Sequence, residues 1–552
     1  MTLPKPKTEV TLRPASPASV GKYPGKRTGT RIDELRGIIC EYDVPITSTD
    51  GITFYVDVFR PSAAGQHPPL IAWSPYGKHL APWNRWENIP GTGVSGADLS
   101  EYTIFEAPDP VYWSAQGYAV INVDPRGTWG SEGDITFMSE LEAKDCAELI
   151  EWAGTRDWSN GNVGMTGVSY LAWSQWRVAA LNPPHLKAIN PNEGVSDFYR
   201  ETARHGGIPA TFFSMLLDQR WSFGSGQVED LKAMLAAHPF FDDYWASKNA
   251  DLSNIKVPAY VVAGWGDQGL HTRGTLEGFK KIGSSQKWLK VHGRKKWQNY
   301  YEEQERQRQF FDKFLKGIPS EVDHWPPVKI EVRERYYEGN LRAENEWPLQ
   351  RTEYVALHLD AATGSAGKTV PETASNARYR VDGAPLSSGT AHFDHTFTER
   401  TELTGHMKLK LWVEALGNDD MDLFVFIDKI DRSGDRVPFQ AQTTREDGPV
   451  ALGWLRVSHR ELDERLSTVY QPVLKHAGES KLSPGQIVPV EIEIWPSSTL
   501  FEAGEKLRIT LSGRDVNDNP SYRHLDTVNT GTHVVHTGGT YDSHLLVPVI
   551  PT

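Results

Sequence analysis

Cysteine is almost missing: the 552 residues hold two, Cys40 and Cys146. A disulfide framework is therefore excluded, and so small a count says almost nothing about compartment. Long apolar runs are missing too. No stretch reaches 18 apolar residues, which argues against a spanning helix, and Met1-Thr2-Leu3-Pro4-Lys5-Pro6 lacks the apolar core of a signal peptide. Acceptors for N-linked sugar fail as well; the nearest, Asn519-Pro520-Ser521, is blocked by its proline. Nor is there a basic excess: 58 Lys and Arg stand against 71 Asp and Glu, a net charge of -13. Duplex binding needs a cationic footprint that displaces phosphate counterions, so nucleic acid is excluded as a partner. The expectation is a soluble, self-repelling, cytoplasmic protein without membrane contact, with a homo-oligomer left open.

What is present suffices for large cores. The length implies roughly three to four domains. With 39% hydrophobic and 23% charged residues, disorder as the main state is excluded, and no metal or disulfide staple is needed. Residues 1–35, rich in Pro, Lys, Ser and Thr, read as an extended N-terminal arm. From 36 to 193 strand-like and helical patterns alternate. Residues 52–59 alternate with period two, 70–73 and 118–123 are short buried-type runs, 142–153 is amphipathic, and 163–166 is again strand-like. Such alternation, with strands ending in Gly or Pro, predicts a mostly parallel sheet covered on both faces.

Residues 194–254 break that rhythm, and the stretches 211–217 and 228–235 read as helices of an inserted cap. The alternation resumes over 255–320 with strand-like runs at 259–264 and 288–291. It closes with a helix through 309–315 that Gly317-Ile318-Pro319 terminates. From 321 to 552 helices nearly vanish, and β-rich runs at 407–413, 423–427 and 488–494 predict a separate domain of two packed sheets. The expected class is α/β, with an inserted helical cap and a C-terminal β-sandwich.

One turn carries chemistry. Gly167-Val168-Ser169-Tyr170-Leu171-Ala172 follows a predicted strand and leads into a predicted helix, the setting of a nucleophile elbow. A sharp strand-to-helix turn needs small neighbours, which Gly167 and Ala172 supply. It lifts the Ser169 hydroxyl above the sheet, and the helix N-terminus behind it offers a backbone N–H and a favourable dipole to an oxyanion. Leu171 departs from the general Gly-x-Ser-x-Gly pattern, and a bare Gly-x-Ser is also an ordinary turn with a capping serine.

Context makes the turn more specific. Ser74-Pro75-Tyr76-Gly77-Lys78, Val123-Asp124-Pro125-Arg126-Gly127 with Gly130-Ser131-Glu132-Gly133, and Val168-Ser169-Tyr170-Leu171-Ala172 with Gln175-Trp176 occur in this order. Gly264-Trp265-Gly266-Asp267 and the run from Phe310 to Gly317 follow them. Together they resemble the cocaine esterase and X-Pro dipeptidyl-peptidase-like serine hydrolases, the CocE/NonD type. The runs 453–460 and 501–508 are similar to the jelly-roll module of that family, and the likeness extends from about residue 36 to 550. The resemblance implies an α/β-hydrolase domain with a C-terminal jelly-roll. It makes Ser169 the nucleophile of a Gly-x-Ser-Tyr-x-Ala/Gly elbow, and it implies an oxyanion hole formed by the Tyr76 hydroxyl and the Tyr170 backbone N–H.

A serine hydroxyl is a poor nucleophile until a base takes its proton, and that base needs an orienting carboxylate. In this fold the chain order is Ser, acid, His. Asp267 directly follows a predicted buried strand, at the sheet end where ligands bind, and it matches the family's acid. Its other reading is a cap for a helix beginning near Gly269.

Three groups compete for the base. His292, at the tip of the strand-like run 288–291, is the expected one. The resemblance places a histidine a few residues later, where this chain has Lys296. Lys296 would serve only if burial lowered its pKa, and beside Arg294 and Lys295 it otherwise reads as part of a solvated cationic loop. His271, four residues beyond Asp267, reads as a local i,i+4 partner outside catalysis. Arg126 reads as a structural ion-pair partner, because no phosphate-loop GKS/T follows it. Trp83, Trp86, Tyr102 and Tyr112 are candidate lining for an apolar cleft, although aromatic residues are also ordinary core.

The expected function is cleavage of a small ester or amide through an acyl-serine, with Ser169, Asp267 and His292 catalytic and no cofactor or metal. Two alternatives stay open. An acyltransferase or cyclase would use the same serine while excluding water. A non-catalytic ligand-binding protein would use the jelly-roll as its binding surface.

Overall fold

Pro69–Trp73, Ala119–Asp124, Val163–Val168 and Ala259–Gly264 are strands buried at every residue, as a sheet covered on both faces requires. The computed structural model describes residues 9–17, 29–79, 85–210, 220–382, 389–515 and 523–551. Numbered along the chain, the strands of its main sheet are β1 (Ile38–Thr47), β2 (Thr53–Pro61), β3 (Pro69–Trp73), β4 (Ala119–Asp124) and β5 (Val163–Val168). They continue as β6 (Leu186–Asn192), β7 (Ala259–Gly264), β8 (Lys287–His292) and β9 (Val328–Arg335). Their order across the sheet is β1-β2-β4-β3-β5-β6-β7-β8-β9. The pairs β1–β2 and β2–β4 are antiparallel, and every later pair is parallel. This is the α/β architecture that the alternating pattern predicts.

Five helices matter for the site: α1 (Glu140–Gly154), α2 (Tyr170–Ala179), α3 (Thr272–Lys281), α4 (Lys296–Glu302) and α5 (Gln304–Lys316). Side chains of successive strand residues point to opposite faces. Leu70, Val120 and Val262 accordingly meet Phe310, Phe311 and Leu315 of α5 on one face. On the other face Ile71, Ile121 and Met165 share a core with Leu149 of α1, Trp173 of α2 and Leu276 of α3. Gly317 ends α5 in the left-handed conformation, at φ 70°, as a helix-stopping glycine should.

The N-terminal segment is laid along the rest of the chain. Gly29–Asp33 adds an antiparallel edge to β1, and Leu12–Pro14 pairs with Gln227–Glu229. Between β6 and β7 the chain makes a π-helical turn at Tyr199–Ala203 and two short helices, Leu231–Ala237 and Asp243–Ser247. The predicted helix over 228–235 starts only at Leu231, because Val228 and Glu229 are in a strand and the Asp230 carboxylate caps the helix through the Ala233 N–H. The other predicted cap helix, 211–217, lies outside the described residues. Among the described residues no helix is long and apolar enough to cross a membrane.

The C-terminal part is almost all antiparallel strand. Thr401–Leu416 pairs with Val488–Phe501, Thr532–Thr537 and His544–Ile550. Asp422–Ile430 pairs with Ala451–Arg456 and Lys506–Ser512. Inward-facing residues of both groups, among them Leu409, Leu411, Val425 and Ile509, form one apolar core. The main sheet runs on into this part, because β9 also pairs antiparallel with Glu338–Glu344 and touches Thr499 at Arg333. A loop of the C-terminal part reaches the tip of β7, where the Gln442 N–H donates to Gly266 O at 2.8 Å. That loop therefore closes over the end of the sheet at which the candidate residues stand.

Candidate active site

Ser169 is the residue between β5 and α2, with φ 61° and ψ -115°. A non-glycine residue in that conformation is strained, and strain of this kind is the mark of a nucleophile elbow. Gly167 makes the turn possible. Its φ is 145°, and a Cβ there would lie 2.5 Å from Leu171 Cβ. The Ser169 N–H is tied to Asn192 O at 3.0 Å, so the tip of β6 fixes the elbow from the side. Half-buried, Ser169 makes no side-chain capping bond to α2.

The partner of that hydroxyl is His271. Ser169 Oγ and His271 Nε2 are 3.1 Å apart, and His271 Nδ1 is hydrogen-bonded to Asp267 Oδ2. Asp267 follows β7 in a turn whose backbone is closed by the N–H groups of Leu270, His271 and Thr272 on Asp267 O. The Asp267–His271 pair therefore spans this turn, ahead of α3. The imidazole bridges the carboxylate and the elbow, instead of lying along a helix surface as an ordinary i,i+4 partner would.

His292, the expected base, stands elsewhere. It ends β8, is buried, accepts the Arg294 N–H on Nδ1 at 3.2 Å, and faces Glu193 across 3.6 Å with Nε2. Its backbone is in register with Gly264 of β7, and its carbonyl accepts the Trp265 N–H. A strand-end side chain held in this way stays at the level of the sheet, below the loop in which Ser169 is met. The structure thus replaces His292 with His271 at the serine.

Lys296, the first residue of α4, is buried and not part of a solvated loop. Its ammonium lies 3.0 Å from Asp267 Oδ2 and 3.2 Å from His271 Nδ1. Burial opposes ionisation of Asp267, yet the Lys296 ammonium and His271 together hold the carboxyl below the ordinary range. For His271 burial and the neighbouring ammonium both disfavour the charged ring. They outweigh Asp267 and bring its pKa down to about 4.

Tyr76 lies in the loop after β3 and is buried against Phe105, with ring centroids 5.1 Å apart. Burial, with the Glu106 charge adding to it, pushes the phenol well above its usual range, so it stays a proton donor. Tyr170 contributes differently. Its own hydroxyl is occupied by both oxygens of Glu142 at 2.9 Å, which leaves the backbone N–H in the first turn of α2 as its offering to the site. Glu106, which the sequence reading passes over, is a buried carboxyl at φ 66° that accepts the Trp297 indole N–H at 2.8 Å. Burial pushes it up to about 7. A single Glu in a loop carries no signal that could have singled it out.

Of the candidate aromatic residues, Trp86 packs on Phe105 and Trp297 beside Tyr76. Tyr102 instead donates to Asp33 at the sheet edge, and Tyr112 packs on Trp113. Trp83 lies outside the described residues. Arg126 is a bidentate partner of Asp145, at 2.7 Å from both nitrogens, and also pairs with Asp50. Among the described residues two groups of buried side chains converge closely enough to hold a cation, Asp43 with Asp57 and His79, and Glu193 with Asp267 and His271. In each a lysine supplies the positive charge: Lys78 bonds Asp43 and Asp57, and Lys296 bonds Asp267.

Known proteins resemble this chain over most of its length. Residues 50–295 match the X-Pro dipeptidyl-peptidase (S15 family), and residues 320–546 match the X-Pro dipeptidyl-peptidase C-terminal non-catalytic domain. The crystal structure of a CocE/NonD family hydrolase from Staphylococcus aureus is 42% identical, with a TM-score of 0.88 over 93% of this chain and 94% of that one. The chain belongs to the CocE/NonD family of hydrolases. It is an enzyme, a serine hydrolase by family. The cocaine esterase of Rhodococcus sp. (strain MB1 Bresler) is 24% identical over 92% of this chain and 98% of its own length. An α-amino acid ester hydrolase structure, 17% identical with a TM-score of 0.73, shares the fold.

Proposed function

We propose that this CocE/NonD hydrolase cleaves a small ester or amide through an acyl-Ser169 intermediate, with His271 as base, Asp267 as its orienting acid, and Tyr76 and the Tyr170 N–H as oxyanion donors. The observation that carries this reading is the continuous contact from Ser169 Oγ through both nitrogens of His271 to Asp267.

In the first step the Ser169 Oγ–H proton passes to His271 Nε2 as Oγ bonds to the carbonyl carbon. The carbonyl oxygen becomes an oxyanion, to which the Tyr76 hydroxyl and the Tyr170 N–H donate hydrogen bonds as its charge develops. Collapse breaks the bond to the leaving oxygen or nitrogen, which takes the proton from His271. Water then repeats the sequence: His271 removes its proton, the acyl bond to Ser169 breaks, and the serine recovers its hydrogen. Asp267 holds Nδ1–H throughout, so that Nε2 presents its lone pair to the serine.

Trp86, Phe105, Tyr76, Trp221 and Trp297 pack ring against ring in a buried cluster that includes the proposed oxyanion donor Tyr76. A cluster of this kind favours an apolar acyl or leaving group, because aromatic surface rewards apolar contact and excludes water.

The test is a pre-steady-state burst with a p-nitrophenyl ester, quenched for intact mass. A stoichiometric burst together with an acyl adduct on Ser169 is expected. Turnover with neither a burst nor an acyl adduct on Ser169 would contradict a covalent route.

A further inference from the structure

The residue at the start of α4 is a buried lysine that the acyl-transfer steps do not use. Lys296 is hemmed in by the Trp297 ring, 5.1 Å from its Nζ, and by Asp267 and His271 at 3.0 and 3.2 Å. A buried ammonium is tolerated only when it is paired, and Asp267 provides the pair. The same Oδ2 that receives Lys296 also receives His271 Nδ1. Asp267 therefore divides one negative charge between two partners, and an imidazolium at 271 would face a fixed cation across about the distance of a hydrogen bond.

We propose that Lys296 is a positioning residue of this centre, which fixes Asp267 and sets a positive charge beside His271 so that the imidazole stays neutral, and able to accept the serine proton, in acidic solution. The proposal rests on the acyl-transfer reading above.

Among the described residues few other groups face His271. Asp267 comes from its own loop, Lys296 from α4, Ser169 from the elbow, and Glu193 from just past β6, with ligand atoms that gather within 4.8 Å of those of Asp267 and His271. From the C-terminal part, Thr443 Oγ1 donates to Asp267 Oδ1 at 3.4 Å. Glu106 interacts with the Lys296 charge, and burial holds both Glu106 and Glu193 above the ordinary carboxyl range. Arg273, two residues on, is engaged by Glu201 and Glu493. His292, beside Glu193, is kept neutral by burial and by Lys290. Lys296 is thus the cation in direct contact with the His271 ring.

The experiment is the pH dependence of ester hydrolysis by wild type, Lys296→Met and Lys296→Arg, each normalised to its own plateau near pH 8. Removal of the cation should raise the acid limb by about one unit or more, so that Lys296→Met loses roughly tenfold relative to wild type at acidic pH, while Lys296→Arg keeps the wild-type limb. An unchanged limb in Lys296→Met overturns the proposal. A nitrogen-15 imidazole titration of wild type is independent of whether the variant folds: a neutral His271 ring at pH 5.5 is expected, and an imidazolium there overturns it. This titration reads the charge on His271 whether or not Ser169 reacts, whereas full activity in His271→Ala would remove the acyl-transfer reading itself.

Discussion

His271 Nε2 lies 3.1 Å from Ser169 Oγ across 102 residues of chain, and the strand-tip His292 that the sequence favours is turned to Glu193 instead. The two histidines should therefore separate cleanly on mutation. His271→Ala is expected to lower kcat/KM for a p-nitrophenyl ester by about 10³-fold or more, as loss of a serine's base does. His292→Ala should stay within about tenfold of wild type while its Tm falls, because a buried side chain is lost from the end of β8. Steady-state kinetics and thermal unfolding of both variants check this; the opposite ranking of activities would contradict it.

Tyr76 should be a donor to charge that exists only in the transition state. Tyr76→Phe keeps the packing on Phe105 and removes the hydroxyl. The expected loss is about 3 kcal/mol of transition-state stabilisation, a fall of roughly 10²-fold in kcat with little change in KM. A rise in KM at constant kcat would instead make Tyr76 a ground-state binding residue.

Glu106 gives a pH signature in stability. Its folded-state pKa is raised by burial to about 7 from an ordinary 4.5. Below the ordinary value the group is protonated in both states and contributes nothing to the balance. As pH rises through this window the unfolded chain releases its proton while the folded chain keeps it, so stability is lost until about pH 7 and then levels off. Glu106→Gln, which retains an acceptor for the Trp297 indole, should raise the Tm at pH 8 and leave it unchanged near pH 4.5. An equal Tm difference at both pH values would show that the burial of charge is not the cause.

Gly167 tests the elbow. Gly167→Ala imposes a side chain at φ 145° and pushes its Cβ against Leu171. The expected destabilisation is about 1–3 kcal/mol, read as a lower urea midpoint. In a Leu171→Ala background only the contact with Leu171 Cδ2, at 2.6 Å, should be relieved, because alanine keeps the Cβ. An unchanged midpoint in Gly167→Ala would mean that the turn is not strained.

What was legible in the sequence was local. The buried runs of β3, β4, β5, β7 and β8 stand out because both faces of the sheet are covered, and Ser169 and Asp267 stand out because each directly follows such a run. The role of His271 was hidden because its reach depends on the turn over 267–271. The i,i+4 spacing looks the same whether the pair lies along a helix or bridges a loop. Lys296 looked solvated beside Arg294 and Lys295, yet it is the first residue of α4 and is covered. The pairing of Leu12–Pro14 with Gln227–Glu229 and the reach of the 440–443 loop over β7 are contacts between distant segments, and no local pattern encodes them.

The most direct measurement is intact-mass labelling with a fluorophosphonate, applied to wild type, Ser169→Ala, His271→Ala and His292→Ala. One adduct on wild type, none on Ser169→Ala, a rate reduced by about 10³-fold in His271→Ala and a near-normal rate in His292→Ala is the predicted result. Folded wild type that takes no label, or a rate that collapses in His292→Ala and survives in His271→Ala, would contradict a Ser169 nucleophile activated by His271.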